Sequence, residues 1–410
     1  MTSPLFDLQL AQDTPHHPAM SDLCDLLCHR TGNTDRGFFQ AEVAYFLGLI
    51  PSSMRAQIDS PERGTLPINI YSIALATSGF GKGHSVSLLE DVISEFRTEF
   101  TESVFPAIAE QSLFDMAVDI AATKGGDEDK ELELLQREFK TQGNPVFLFD
   151  SGTGPAVKQL RYKLQLAQAG AINFQMDEIG SNLQANTEVI NTLLELYDLG
   201  KIKTKLVKST GDNERGIDLP SSTPANCLMF GTTHKLFDGS KIEEEFFSFL
   251  ETGYARRCFF GVGKPIDIKG QVSPEDVYNS LVSTNRSMAL EKWRTQLGKF
   301  ADRAYYNRKI EVPKDVGIML TAYRLFCEQT SAELPHRYFK ALKLAGVYAF
   351  LDDSQDITPQ NLLQAIRLAE ESGDSFQKLL KRERNFVRLA KYIATTPGEL
   401  THADLVDDVP

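Results

Sequence analysis

The sequence predicts an α/β protein with a mainly parallel sheet at its core, helices before it and a helical domain after it. Two observations carry that prediction. Near-continuous apolar runs of strand length recur at 70–76, 145–149, 171–176 and 227–230, as strands covered on both faces require. From residue 273 onward the apolar spacing turns helical. At 410 residues the chain is too long for one ordinary core. It divides into an N-terminal arm with helices (1–60), the sheet-bearing core (61–270), the helical domain (271–395) and a closing segment (396–410).

The arm leads into helices, of which FFQAEVAYFLGLI at 38–50 is the clearest, with Pro51 as its stop. His16, His17, Cys24, Cys28 and His29 gather imidazole and thiol groups of the kind that hold zinc. Leu23, Leu26 and Leu27 stand among them at helical spacing, so the simpler reading puts Cys24 and Cys28 on an apolar helix face. The breaker-rich run SPERGTLP at 60–67 reads as a connection.

Residues 68–90, INIYSIALATSGFGKGHSVSLLE, read as a buried strand that turns through a glycine-lysine loop straight into a helix. Glycines let backbone N–H groups wrap an anion, and the helix aims its positive end at the same spot. Ser78, Gly79, Phe80, Gly81, Lys82, Gly83, His84 and Ser85 are therefore candidate phosphate-binding residues. Against the pattern G-x-x-x-x-G-K-[ST] the loop matches at Gly81 and Lys82. It has Ala76 for the first glycine and Gly83 where a hydroxyl should hold Mg²⁺. Taken alone, it is also what a structural glycine turn looks like.

Further on, the apolar run AINFQM ends in Asp177 and Glu178. A nucleotide hydrolase needs both acids there, Asp177 to hold the metal and Glu178 to polarise the attacking water. Either segment alone has a bland reading, but the pair in this order predicts a P-loop NTPase.

Around these anchors, helices are expected over 85–100, 107–122, 157–168, 188–199 and 243–250. KGGDEDK at 124–130 reads as an exposed charged loop, and PVFLFD at 145–150 as another buried strand. KIKTKL at 201–206 alternates, so as a strand it places Lys201, Lys203 and Lys205 on one face, with Lys208 just beyond. That basic hairpin suits a DNA backbone; protection of an exposed edge strand is its other reading. After the strand at 227–230, Thr232, Thr233 and His234 are candidate phosphate sensors, with capping or a turn as the other reading for the threonines. Arg256 and Arg257 run into a further apolar strand and are candidates for a nucleotide across a subunit boundary, or for a salt bridge. Helices follow near 274–304, 313–331, 335–352, 358–383 and 385–395, with a basic surface at Lys378, Lys381, Arg382, Arg384 and Arg388. The end at 398–406 resembles the opening of a helix-turn-helix.

A net charge of −13 excludes a protein that coats nucleic acid with its whole surface, while leaving room for a local basic channel. No run is long and apolar enough for a membrane span, and the start lacks a signal-peptide pattern. Five scattered cysteines fit reduced thiols. The expected location is cytoplasmic, the host cytoplasm if a phage encodes the protein.

The order of parts resembles the P-loop replicative helicases and primase-helicase C-terminal ATPase domains of phages and mobile genetic elements, with RecA/AAA+-like cores. The likeness spans roughly residues 35–395 and rests on NIYSIALATSGFGKGHS, FLFDSGTGPAVKQL, INFQMDEIG, ELYDLGKIKTKL, GYARRCFFG and PHRYFKALKLAGVYAF. It implies a ring-forming ATPase, hexameric in many relatives, that moves on single-stranded DNA and works beside a primase or other replication proteins. ATP and Mg²⁺ are its implied cofactors. By position, Lys82 would contact the β and γ phosphates, Asp177 would serve Mg²⁺, Glu178 would be the base, and Arg256 or Arg257 the finger acting in trans. Gly83 and His234 depart from the relatives. An ATP-regulated helicase loader without unwinding activity, or a non-hydrolysing structural ring, are the alternative functions.

Overall fold

The computed structural model describes residues 6–183, 185–202, 221–237, 239, 241–263, 273, 275, 284–330, 336–380, 390 and 392–395. Helices α1 (Leu8–Asp13), α2 (Pro18–Thr31) and α3 (Arg36–Ser53) come first. Leu23, Cys24, Leu26 and Leu27 lie on a buried face of α2, as their spacing predicts. His16 and His17 are engaged with the far end of the chain, each 3.0 Å from a carboxylate, Glu371 and Asp352 respectively. α3 runs through Pro51 to Ser53 instead of stopping there. Bonds from Met54 N–H to the Ile50 carbonyl (3.2 Å) and from Ala56 N–H to the Pro51 carbonyl (2.9 Å) close the turn beyond the proline, which costs the helix only the bond that an N–H at 51 would make to the Leu47 carbonyl.

The run at 60–67 is more than a connection. β1 (Gln57–Ser60) and β2 (Gly64–Pro67) form an antiparallel hairpin around Pro61, Glu62 and Arg63. Strands of four residues are too short to show a period against their breakers.

The main sheet follows. β3 (Tyr71–Ala76) is buried at every residue and leads into α4 (Lys82–Val92), α5 (Ser94–Glu99) and α6 (Phe105–Lys124). α7 (Glu128–Thr141) begins inside the run expected as a charged loop, because Asp127 accepts hydrogen bonds from the N–H groups of Asp129 and Lys130 and starts a helix there. The expected strand at 145–150 is not one. Val146 is 47% exposed, and Phe149 alone bridges to Phe174, because this segment borders the outer edge of the sheet with one side open.

α8 (Gly154–Ala167), β4 (Ile172–Met176), α9 (Ile179–Asn182), α10 (Thr187–Leu199) and β5 (Ala225–Thr232) come next. Then come α11 (Thr233–Leu236), α12 (Lys241–Phe249), the single turn α13 (Ala255–Arg257) and β6 (Cys258–Gly263). The four long strands are all parallel in the order β4-β5-β3-β6. A buried polar relay fixes their register. Asn226 on β5 accepts from Ile70 N–H (2.8 Å) and donates to Ser52 on α3 (2.7 Å) and to Asn173 on β4 (2.9 Å). α3 can lie against the sheet because Gly48 and Gly261 are bare: a Cβ at either would sit 2.6 Å from Ile70 or 2.3 Å from the Gly37 carbonyl.

The C-terminal part contains α14 (Thr284–Gly298), β7 (Lys309–Glu311), α15 (Lys314–Thr330), α16 (Arg337–Leu351) and α17 (Pro359–Leu380). β7 joins the small sheet, parallel to β1. α16 is buried from Tyr338 to Phe350 and carries two lysines into the interior. Lys340 donates to the Cys258 carbonyl (2.8 Å), and Lys343 to the Pro67 carbonyl (2.8 Å) and to Asn69 (2.5 Å). One continuous core runs from Phe6 to Phe376. Among the described residues no helix is long and apolar enough to cross a membrane. Lys203, Lys205, Lys208, the basic residues 381–388 and the closing segment 396–410 lie outside the described residues.

Candidate functional site

The loop after β3 is held from the N-terminal helices. Gly79 and Gly81 adopt φ of 82° and 94°, values that only glycine takes without strain. Asn33, just past α2, donates to the Phe80 carbonyl at 2.6 Å, and Thr31 packs against Gly81. The Phe80 ring points inward, with centroids 4.7 Å from Phe38 and 5.6 Å from Phe39. It is thus a core anchor, while Ser78, Gly79, Gly83 and His84 are exposed. No side chain caps α4, so its first N–H groups face the loop's mouth unpartnered by a cap. A Cβ at Gly79 or Gly83 would meet nothing within 4 Å, so the loop is open to solvent at both glycines.

The acidic pair reaches the same edge. β3 and β4 both flank β5 in parallel, and the register sets Ala76 beside Thr232 and Met176 beside Met229, so β4 ends three residues short of β3 and Asp177 and Glu178 follow in that step. Lys82 donates to the backbone carbonyl of Asp177, its ammonium 5.2 Å from the centre of the Phe230 ring. The Asp177 residue is exposed. Glu178 begins α9 and accepts from the Thr232 hydroxyl at 2.7 Å and the Thr232 N–H at 3.2 Å. Lys82, Asp177, Glu178 and Thr232 therefore form one cluster at the carboxyl edge of the sheet, where open parallel sheets bind ligands.

Of the strand-tip residues, Thr232 contacts the acid, while Thr233 is buried and His234 exposed in the short α11. The sequence offered Thr232 as a polar residue of the strand tip, but nothing in it pointed to Glu178 as the partner. Ser85 is fully buried and bonded to Glu42 on α3 at 3.1 Å and to the Lys82 carbonyl at 2.8 Å. Burial pushes the Glu42 carboxyl well above the usual range, although Ser85 and the Lys82 charge oppose it. A hydroxyl has one proton to give. It goes either to the Glu42 carboxyl or to the Lys82 carbonyl. Among the described residues the other Glu42 oxygen has no hydrogen-bond partner. The one signal for Glu42 was a lone acid inside the apolar run FFQAEVAYFLGLI.

Arg256 and Arg257 stand at the opposite end of the sheet. Cys258 pairs with Tyr71, the first residue of β3, so about 17 Å of strand separates them from the loop. Arg257 forms an ion pair with Asp198 at 3.0 Å, and among the described residues Arg256 has neither an ion pair nor a hydrogen bond. Lys201, just past α10, is exposed.

Neither a protein-family profile nor a curated protein matches this chain. What the cluster can do follows from its chemistry. The open amides and Lys82 suit a polyphosphate. Among the described residues no group of three or more His, Cys, Asp or Glu could hold a metal unaided. Mg²⁺ fits as an ion carried by phosphates and met by Asp177, the sharing that this small, strongly hydrated cation favours.

Proposed function

We propose that the chain is an ATP-driven DNA helicase or translocase of phage or mobile-element replication, acting as a ring-forming homo-oligomer. The supporting observation is the meeting of Lys82 with Asp177, Glu178 and Thr232 at one sheet edge beside open loop amides. Bound MgATP supplies the phosphoryl group and the cation that neutralises its charge. Lys82 and the amides of Gly79, Gly81, Lys82 and Gly83 would hold the phosphates, Asp177 would meet the metal, and Glu178 would orient a water and accept its proton. Because Arg256 lies at the far end of the sheet, it serves the loop of another copy and not its own. Lys201, with Lys203, Lys205 and Lys208 outside the described residues, is the DNA grip in this reading, and a primase is a fitting partner.

ATP turnover measured with and without single-stranded DNA, followed by unwinding by the purified chain alone, tests the proposal. Turnover should rise with DNA and vanish in Lys82→Ala. Turnover indifferent to DNA, without unwinding, would replace the motor by an ATP-regulated loader. No turnover under any condition would leave a structural ring.

A further inference from the structure

At the sheet edge away from the glycine loop, a cavity of about 360 Å³ opens where the β1–β2 turn, the end of α10, the start of β6 and the start of α16 meet. Arg63, Asp198, Arg256, Arg257, His336 and Phe339 line it. Three guanidiniums thus share one carboxylate, in a chain whose net charge is −13. Arg257 is occupied by Asp198, at 3.0 Å, and by the Gly253 carbonyl. Arg63 is fixed by the Tyr338 hydroxyl and lies 4.7 Å from the centre of the Phe339 ring, and it has no carboxylate partner among the described residues. Arg256 is free on the same terms. Burial, then Arg256, Arg257 and Arg63, hold the His336 ring below its ordinary value, so it stands neutral beside that positive charge.

Uncompensated guanidiniums held together repel one another, and an anion that reaches them relieves the repulsion. A guanidinium pinned on an aromatic ring is also pre-oriented, and its flat fork matches phosphate oxygens in pairs. We propose that this pocket binds a phosphoryl group, clamped by Arg63 and Arg256 with His336 as a further hydrogen-bond donor. Two sources carry that chemistry. One is a free phosphate or diphosphate from solution. The other is the terminal phosphate of a nucleotide held in the glycine loop of a second copy, a source that rests on the function proposed above.

The test uses the full-length Lys82→Ala chain, whose own loop is disabled, and pyrophosphate as the probe. Pyrophosphate should shift the His336 ring resonances and raise its titration midpoint, with affinity reduced about tenfold or more in Arg63→Gln and Arg256→Gln, the scale of one lost charge-assisted contact. Arg63 is exposed, so its variant should fold, and unchanged resonances of the other histidines check this. For the second source, nucleotide-driven assembly of the chain with Lys82 intact should weaken in Arg63→Gln. A pyrophosphate response without an assembly effect assigns the pocket to free phosphate and supports it even if no ATP turnover exists. An unmoved His336 at millimolar pyrophosphate, together with unaltered assembly in Arg63→Gln, overturns the proposal.

Discussion

Glu178 is held through both donors of Thr232, the hydroxyl 2.7 Å from one carboxylate oxygen and the backbone N–H 3.2 Å from the other. The two bonds set the plane of the carboxylate.

That grip predicts a graded pair of variants. Glu178→Gln should retain nucleotide binding and lose roughly 10²-fold or more in turnover, the scale of a lost general base. Thr232→Val keeps the shape and the N–H but not the hydroxyl, and should cost about tenfold in kcat with little change in KM. Equal loss of binding in both would make Glu178 a structural cap.

Lys82 and Arg256 belong to different halves of a shared site if the oligomer reading holds. Each single alanine variant should lose turnover, Arg256→Ala by about 10³-fold, as when transition-state charge is left bare. Mixing the two should restore part of it, since some interfaces regain both groups. Absence of recovery in mixtures shown to co-assemble counts against a shared site.

Glu42 braces the loop through its 3.1 Å contact with the Ser85 hydroxyl. Glu42→Gln keeps a polar partner for the hydroxyl and should bind nucleotide within about threefold of wild type, whereas Glu42→Ala leaves Ser85 facing a void and should weaken binding about tenfold. Amide exchange at Gly81, Lys82 and Gly83 reports the brace directly. Slow exchange in Glu42→Ala would show that the loop stands without it.

The buried lysines of α16 predict a pH dependence. Burial is the first cause that brings Lys340 and Lys343 down to about 7, against 10.5 for the exposed group. Between those values the unfolded chain binds more protons than the folded one, so stability should rise with pH over that window. Lys343→Met should flatten the slope. An identical slope in the variant would mean that Lys343 stays charged when folded.

Glu371 sets the acid limit. Its burial acts to raise its pKa, but the hydrogen bond and charge of His16, with Arg367 and Gln40, hold it at about 2. Its stabilisation is therefore complete above about pH 4.5 and lost as the pH falls toward 2. Urea unfolding should separate wild type from Glu371→Gln at neutral pH and not near pH 2. A constant difference at both would remove the link between the α1–α2 connection, α3 and α17 as the acid-sensitive element.

Legibility followed the physics of each signal. β3, β4 and β5 were plain because strands buried on both faces leave unbroken apolar runs, and Lys82 and Asp177 follow directly from where those runs end. The segment at 145–150 has the same composition, but composition does not tell an interior strand from a chain skirting the sheet's edge, which here is joined at Phe149 alone. α7 hid behind its charge: Leu132, Leu135 and Phe139 recur at helical spacing inside DEDKELELLQREFK. Glu42, Asn33 and Thr232 act through residues distant in sequence, so one chain read alone shows no reason to pair them.

The parallel pairing of β1 with β7 has a consequence for how the protein is made. Gln57 must wait for Lys309, about 250 residues later in the chain, before the small sheet can close. At roughly 5–20 residues per second on the ribosome, the hairpin edge stands open for about 10–50 s. During synthesis that bare edge is a site where another strand could add, and a chaperone that shields extended backbone would protect it.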